Sequence, residues 1–335
     1  MTPVFMIGTQ RSGSNLLRLM LNQLTEIASP HPPHILERMF PLMEFYGTFD
    51  NDENYYKLID DVCRLVELNP VQWSGMSFDR HEIAKKAKNR SLLGVYAAIH
   101  DMYTESQGAK TWCCKSLANI KYIEEIEEHF NNPKYIYLYR DGRDVALSFQ
   151  KAVVGEKHIY NIANGWAATQ NMALNFKELI DENRFYCVSY EQLTQQPEET
   201  ARSLCAFLGT DYVPQMLDFH KSNEAKNAAK SSDLWGNVTS PILKNNSKKY
   251  MSEMTLTDIT IFESIAGKVL DALGYERSCV FSGEEKTFSA DEIEDFNNQN
   301  RRKKLEKQLK VEESDKLRRE RQSQLLDEIK ARFVA

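Results

Sequence analysis

Two short segments carry residue types that can hold an anion, and each runs from an apolar segment into a helical pattern. The first is residues 8–15, GTQRSGSN. In such a loop, backbone N–H groups and a helix N-terminus point at the bound anion. Arg11 can add a charge-assisted hydrogen bond, and Ser12, Ser14 and Asn15 can add side-chain donors. This pattern predicts a phosphate-like ligand, although a strand-to-helix turn without a ligand is the alternative.

The glycine spacing of this loop nearly meets the pattern G-x-x-x-x-G-K-[ST] of nucleotide-binding P-loops. Gly8 and Gly13 match, but the next residue is Ser14, where P-loop kinases have the lysine that contacts the transferred phosphate. ATP hydrolysis is therefore disfavoured. A nucleoside or nucleotide kinase remains the nearest enzyme alternative, and a module that binds a nucleotide without turnover is the second.

The other anion-binding segment is residues 137–149, YLYRDGRDVALSF. Arg140 falls at the carboxyl end of a predicted strand, which is the edge where open α/β sheets bind ligands. Ser148 lies about two helical turns further on, so its hydroxyl can meet the same anion. The competing interpretation is a surface ion-pair network formed by Arg140, Asp141, Arg143 and Asp144.

Short apolar runs alternate with helical patterns around these two segments. Strands are predicted at residues 3–7, 110–114, 134–139 and 184–189. One helix is predicted from Leu16 to Ile27, ended by the prolines that follow, and another at 257–273, closed by Gly274. This alternation predicts an α/β fold with P-loop-like α/β/α layers, in which a central parallel sheet is covered on both faces.

Composition and charge exclude several classes of protein. Hydrophobic residues make up 42% and charged residues 27%, which is typical of globular chains. The net charge of −6 argues against a nucleic-acid partner. With no apolar run of about 18 residues and no leader pattern, we expect no transmembrane segment and no signal peptide. Six scattered cysteines without zinc spacing favour reduced thiols and a cytoplasmic location.

Taken together, the two segments resemble the motifs of the sulfotransferase superfamily, whose members use 3′-phosphoadenosine 5′-phosphosulfate (PAPS). Residues 10–16, QRSGSNL, resemble its 5′-phosphosulfate loop. Arg140 and Ser148, eight residues apart in RDGRDVALSF, resemble its 3′-phosphate motif. The resemblance extends to about Tyr275 and is closest to bacterial and tyrosylprotein-type members. It implies PAPS-dependent transfer of a sulfuryl group to an acceptor hydroxyl, without a metal.

The resemblance also implies which residues hold the donor. The 5′ end would be held by the first loop, namely Arg11, Ser12, Gly13, Ser14 and Asn15. The 3′-phosphate would be held by Arg140 and Ser148. Tyr190, in VSYEQL, would support the donor pocket, with a purely structural role as the alternative. Lys248 and Lys249 fall where relatives close a segment over the nucleotide, although a solvated basic turn explains them equally well.

Candidates for the catalytic groups follow from the same comparison. Lys115 would contact the bridging or phosphate oxygens of the donor, unless it is an ordinary surface lysine. Where the tyrosylprotein type has Gly-Glu-Glu, residues 29–34 read SPHPPH. Because the pKa of histidine suits a general base, we expect His34, or failing that His31, to take the acceptor's proton. Glu37 is the reserve candidate.

The acceptor is not identified by the sequence, so a carbohydrate, lipid, small metabolite or peptide all remain open. We expect residues 1–282 to form the sulfotransferase domain and the mostly helical insertion at 35–107 to face the acceptor, with Trp166 as a further pocket candidate. Residues 283–335 are expected to form a charged helical tail, starting at a Ser289–Glu292 capping box.

The polarity of the tail predicts that it stays outside the core and the donor site. Its sparse apolar residues, Leu325, Leu326, Ile329 and Phe333, either lie on a solvated helix or pack on a neighbour or the domain surface. A homo-oligomer through the tail is therefore possible. Removing the chain after about Ser282 is expected to leave donor binding intact.

Overall fold

A computed structural model describes residues 1–73, 75–231, 233–311 and 313–332 of the 335-residue chain. Five strands in these ranges form one sheet, and they are numbered β1 to β5 in chain order: Val4–Gly8, Ile27–Ala28, Thr111–Cys114, Lys134–Tyr139 and Phe185–Ser189. Their order across the sheet is β2-β3-β1-β4-β5, and every neighbouring pair is parallel. The predicted central parallel sheet is confirmed.

Helices connect and cover these strands. In the described ranges they are numbered α1 to α15 in chain order: Ser14–Leu21, Ile35–Met39, Asp52–Glu67, Arg80–Lys86, Leu92–Ser106, Ile123–His129, Gly142–Lys151, Ile159–Lys177, Tyr190–Gln195, Pro197–Leu208, Asn223–Ser231, Tyr250–Glu253, Leu256–Ala272, Ala290–Leu309 and Glu313–Arg332. Short 3₁₀ helices lie at Phe40–Tyr46, Leu117–Tyr122, Glu182–Arg184, Pro214–Met216, Phe219–Lys221 and Asp233–Thr239.

The sheet is buried on both faces because its strands are continuously apolar and their side chains alternate. On β1, Phe5 and Ile7 pack against the helices of the 35–107 insertion. Val4 and Met6 point to the other face, where α1, α10 and the segment around Phe219 cover them. The result is the predicted α/β/α layering. A third apolar cluster joins α7, α8 and α13.

Most predicted elements are observed within a residue or two, and the helix after the first loop is the main exception. It ends at Leu21 rather than Ile27, since Asn22 turns the chain and its side-chain oxygen accepts a hydrogen bond from the Ser29 amide at 3.0 Å. Ile27 then belongs to β2, a two-residue strand that is too short to give a periodic signal. The predicted close of α13 at Gly274 is confirmed by its φ of +78°.

The tail forms the two helices α14 and α15. The predicted capping box is present, with Ser289 and Glu292 exchanging side-chain and backbone hydrogen bonds. The expectation that the tail stays outside the core is wrong, since Leu325 and Ile329 are buried in the same apolar cluster as the insertion. Side chains spaced by four residues on one helix face can still reach a core when the rest of the helix is polar. Phe333 lies outside the described residues.

Candidate active site

The carboxyl ends of β1 and β4 open into a cavity of about 960 Å³. Both anion-binding segments contribute to its wall, together with the 115–117 turn, the end of α7 and the 237–249 segment. Adjacent parallel strands end at the same sheet edge, which brings the loops that follow them together. The cavity therefore lies where the sequence predicted a ligand site.

The first loop has a backbone that only particular residues allow. Gly8 has φ +134°, and a Cβ there would lie 2.2 Å from the Leu138 carbonyl oxygen on the neighbouring strand. Gly13, at the N-terminus of α1, has φ +90°, and a Cβ would lie 2.5 Å from the ring of Tyr190. Arg11 takes the left-handed φ of +72° without being glycine. Such backbone is rare and clusters at ligand sites.

Arg140 ties the two anion-binding segments to a third one. Its guanidinium donates to the Arg11 carbonyl at 3.1 Å and to the Asn246 carbonyl at 2.6 Å. The same group stacks on the ring of Tyr190, 4.3 Å from the ring centroid. Nε of Arg140 is buried and has no hydrogen-bond partner among the described residues. Ser12 Oγ is likewise buried without a partner there. Because Arg140 lines the cavity, an anion bound there can accept a hydrogen bond from its Nε.

Asp144 holds the segment around Lys248 over the cavity, a role that the sequence analysis missed. Its carboxylate accepts the Lys248 amide at 2.6 Å and the Tyr250 amide at 3.0 Å. It also lies 3.8 Å from the guanidinium of Arg140. Asn246 then donates to the Tyr190 hydroxyl at 2.7 Å. Nothing in the spacing of these residues indicated the long-range contact.

The acidic and basic residues of RDGRD are buried rather than forming a surface network. The Arg143 side chain is 2% exposed and pairs with Asp141 at 2.8 Å and Glu263 at 2.6 Å. Arg140 is 8% and Asp144 0% exposed at the side chain. The surface ion-pair interpretation of this segment is therefore wrong. Arg143 holds the start of α7 against α13, which fixes the position of Arg140.

Lys115 is a cavity residue and not a surface lysine. Its ammonium donates to the Asn15 side-chain oxygen at 3.1 Å, and the residue is 8% exposed. Burial, and after it the charges of Arg18 and Arg11, lower the pKa of Lys115 to about 7. Burial and the charge of Arg140 also lower the pKa of Arg11. Several cations held together away from water make this a site for a polyanion.

Both candidate histidines line the cavity, in different surroundings. Nδ1 of His34 lies 3.0 Å from Ser116 Oγ and 3.5 Å from the Glu37 carboxylate. Burial, then the charges of Lys115 and Arg38, lower the pKa of His34 to about 3. His34 is therefore neutral at pH 7 and able to accept a proton.

His31 is the more enclosed of the two. It is 5% exposed, whereas the His34 side chain is 24% exposed. Its carbonyl accepts hydrogen bonds from the side chains of Trp73, at 2.8 Å, and Asn69, at 3.1 Å. Burial, followed by the charges of Lys115 and other neighbours, lowers the pKa of His31 well below its usual value. An acceptor hydroxyl reaches the ring of His34 more easily.

Most of the predicted site residues meet in the cavity. Its wall includes Arg11, Gly13, Ser14, Asn15, His31, His34, Lys115, Arg140, Ser148, Tyr190 and Lys249. Ser12 and Lys248 do not line it. Ser12 is fully buried, and Lys248 contributes its backbone to the Asp144 contact.

Other expectations about the pocket need revision. Trp166 packs on Phe262 in the third apolar cluster and does not line the cavity. From the insertion, Glu37 and Arg38 are the wall residues among those described. Arg38, Asp144, Leu147 and Lys151 were not predicted.

Comparison with known proteins assigns the family. Residues 3–214 match the sequence pattern described as "Sulfotransferase family", which is more than half of the chain. The chain belongs to the sulfotransferase family. Protein-tyrosine sulfotransferase A of Caenorhabditis elegans is 22% identical over 282 residues, covering 82% of this chain and 67% of that protein. The protein is accordingly a transferase enzyme.

Solved sulfotransferase structures share the fold. The sulfotransferase domain of the olefin synthase of Synechococcus PCC 7002 aligns with a TM-score of 0.52 and 21% identity, covering 79% of this chain and 94% of that domain. The sulfotransferase domain from the curacin biosynthetic pathway aligns with a TM-score of 0.57 and 22% identity, covering 83% of this chain and 99% of that domain. At such identities the likeness establishes the architecture of this sulfotransferase.

The part of the sulfotransferase that the structure describes has neither a metal-binding cluster nor a membrane-spanning helix. Within residues 1–73, 75–231, 233–311 and 313–332, no group of three or more His, Cys, Asp or Glu side chains is placed to hold a metal ion. Over the same ranges, every helix is too short or too polar to cross a bilayer.

Proposed function

We propose that the cavity binds PAPS and that the enzyme transfers its sulfuryl group to an acceptor hydroxyl. The observation that carries this proposal is the meeting of two cationic segments in one cavity. Arg11 and Arg140 contact each other there, and the buried Nε of Arg140 lacks a partner among the described residues. A buried donor without a partner costs about 1–3 kcal/mol, which phosphate oxygens can recover.

In this proposal the donor spans the cavity between the two segments. The backbone amides of the 11–15 loop and the N-terminus of α1 hold the 5′-phosphosulfate. Arg140 and Ser148 hold the 3′-phosphate, while Tyr190 and the Asp144-bound 246–250 segment form the surrounding wall. Lys249 lines the cavity near that wall and adds a positive charge. Lys248 then acts through its backbone rather than its ammonium.

The transfer is an in-line displacement at sulfur. A bond forms between the acceptor oxygen and sulfur, while the bond from sulfur to the 5′-phosphate oxygen breaks. Adenosine 3′,5′-bisphosphate leaves with that electron pair. The cations of Arg11 and Lys115 stabilise the charge that develops on the leaving phosphate. Because Lys115 is held on Asn15, it lies beside the loop that holds this phosphate.

His34 is the proposed general base. The carboxylate of Glu37 and the hydroxyl of Ser116 both lie near Nδ1, which favours a proton on that nitrogen. Nε2 then keeps its lone pair for the acceptor proton. Bound donor brings negative charge close to the ring and raises its pKa, which makes the neutral ring a stronger base.

The acceptor class stays a prediction, as do the donor, the cytoplasmic location and a homo-oligomer through the tail. A carbohydrate, lipid, small metabolite or peptide hydroxyl all fit a base beside an open cavity. The name of the Caenorhabditis elegans relative makes a tyrosyl peptide the first acceptor to test.

A turnover assay tests the proposal. The enzyme is incubated with PAPS and pooled acceptors of these four classes, and the products are identified by mass spectrometry. We expect an acceptor that gains one sulfuryl group, with equimolar release of adenosine 3′,5′-bisphosphate. Binding of the bisphosphate without transfer to any pool would instead favour a binding module.

A further inference from the structure

Two amide side chains of the polar tail are buried. Asn300 is 6% exposed and is the one buried residue of α14. Gln322 in α15 is 3% exposed. Buried amides need hydrogen-bond partners, so the identity of those partners shows what each amide holds in place.

Asn300 binds three consecutive residues at the end of a cavity wall. Its side-chain oxygen accepts the backbone N–H groups of Lys157, at 2.7 Å, and His158, at 2.9 Å. Its NH₂ group donates to the carboxylate of Glu156. His158 is the N-cap of α8, so Asn300 also fixes where that helix begins.

The loop that Asn300 holds lines the cavity directly. Ala152, Val154 and Gly155 belong to the cavity wall, next to Ser148 and Lys151 on α7. From the inner side, the ammonium of Lys157 donates to the carbonyls of Phe149, Val154 and Gly155, at 2.9, 2.5 and 3.0 Å. Two side chains therefore hold this loop: Lys157, which belongs to the loop itself, and Asn300, which belongs to the tail.

Gln322 reaches the opposite wall. Its side-chain oxygen accepts a hydrogen bond of 2.6 Å from the guanidinium of Arg38. Its NH₂ group donates to the Leu65 carbonyl at 2.8 Å, which anchors the amide on α3. Arg38 lines the cavity and lies on α2, the helix that His34 begins.

We propose that Asn300 and Gln322 are positioning residues through which the C-terminal helices set the two walls of the active-site cavity. Asn300 acts on the donor side through the 152–158 loop. Gln322 acts on the base side through Arg38. The proposal rests on the proposed function, since it takes the cavity to be where PAPS binds and reacts. It replaces the expectation that the tail is irrelevant to donor binding.

Anchoring the tail does not by itself require these contacts. Leu325 and Ile329 already bury α15 in the core, and Arg332 pairs with the buried Asp61 at 2.7 Å. Phe296 stacks on His158 with the ring centroids 4.6 Å apart, which secures α14. The two amides are therefore free to be replaced while the helices stay docked.

The test compares each amide with an exposed residue of the same type on the same helix. Asn300→Ala is paired with Asn298→Ala, and Gln322→Ala with Gln324→Ala; both control positions are exposed. The full-length protein is titrated with adenosine 3′,5′-bisphosphate by calorimetry, and sulfuryl transfer is measured as kcat and KM. Amide hydrogen exchange of residues 150–160 and 35–40 is followed without any ligand.

Asn300→Ala is expected to weaken bisphosphate binding about tenfold and to speed exchange in residues 152–158. Gln322→Ala is expected to lower kcat about ten- to a hundredfold with unchanged bisphosphate affinity, since displacement far from the reacting atoms can cost about a hundredfold. Both controls should match the wild type. Should Asn300→Ala fail to fold, Asn300→Ser, which keeps one short acceptor, takes its place with the same expectation.

Wild-type affinity and turnover in both amide variants would overturn the proposal, even if exchange in the loop increased. Losses of equal size in the amide variants and their controls would also overturn it. Failure of the proposed function gives a different result, because wild-type protein would then bind no bisphosphate. In that case unchanged exchange at residues 152–158 in Asn300→Ala would still overturn the positioning role.

Discussion

Nε of Arg11 donates a hydrogen bond of 3.0 Å to Oγ of Ser148, although the two residues are 137 positions apart. The family resemblance places them at opposite ends of the donor. Their contact joins the 5′ and 3′ sites into one continuous cationic surface. Burial and the nearby charge of Arg140 lower the pKa of Arg11, so these surroundings disfavour its positive charge. A polyanion bound beside Arg11 would favour that charge.

Arg140→Ala is expected to weaken binding of adenosine 3′,5′-bisphosphate by about 1.5–3 kcal/mol, the loss of a charge-assisted hydrogen bond. Binding of adenosine 5′-monophosphate should change much less, since it lacks the 3′-phosphate. Calorimetric titration of both nucleotides measures the difference. Arg202→Ala, which removes an exposed arginine of α10, is the control. Equal weakening of both nucleotides would show that the 3′ assignment is wrong.

His34→Ala is expected to lower kcat about 10²- to 10⁴-fold while the affinity for the bisphosphate barely moves. His81→Ala removes an exposed histidine and is the matched control. Because the pKa of the free His34 is lowered to about 3, kcat/KM should show no acidic limb from this residue between pH 5 and 8. If His34→Ala and His31→Ala both turn over normally, the base is Glu37 or another residue.

Lys115 is expected to make donor binding dependent on pH. With a pKa of about 7 in the free enzyme, Lys115 is protonated below pH 7 and loses its charge as the pH rises. The anionic donor binds the charged form, so affinity for the bisphosphate should fall about tenfold per pH unit between pH 7 and 9. Lys115→Met should abolish this slope. An identical slope in that variant would assign the titration to another group.

A chelator is expected to leave the rate of sulfuryl transfer unchanged. The sequence lacks an acidic cluster with metal-ligand spacing near the loops, and cationic side chains can stabilise the leaving phosphate in its place. The measurement compares initial rates with and without the chelator. Loss of transfer that magnesium restores would revive the kinase interpretation.

Local patterns made the meeting of the two anion-binding segments predictable. Strand, loop and helix follow one another around Arg11 and again around Arg140, and the ends of parallel strands must meet at one sheet edge. The positions of Gly8 and Gly13 follow from backbone that glycine alone adopts easily. Nothing beyond these two segments and the family resemblance was needed to bring Ser148 and Lys115 into the cavity.

Contacts between distant segments were not predictable from the sequence. Asp144 accepts hydrogen bonds from the backbone amides of residues 248 and 250. Because nearly every residue type has a backbone N–H group, the sequence does not indicate which ones bind Asp144. The average polarity of the tail predicted that it stays outside the core, whereas the spacing of its apolar residues left open that they pack on the domain, and Leu325 and Ile329 are buried there. The competing interpretation of a surface ion-pair network at residues 140–144 is wrong because Arg143 is buried, with Asp141 and Glu263 neutralising its charge.

The most direct test of the donor site is a calorimetric titration of the wild-type enzyme with four nucleotides in metal-free buffer. These are adenosine 3′,5′-bisphosphate, adenosine 5′-monophosphate, ADP and ATP. We predict that the bisphosphate binds at least about tenfold more tightly than any other, since it alone places a phosphate on Arg140. Tighter binding of ATP or ADP, or equal binding of the bisphosphate and the monophosphate, would contradict the assignment of this cavity to PAPS.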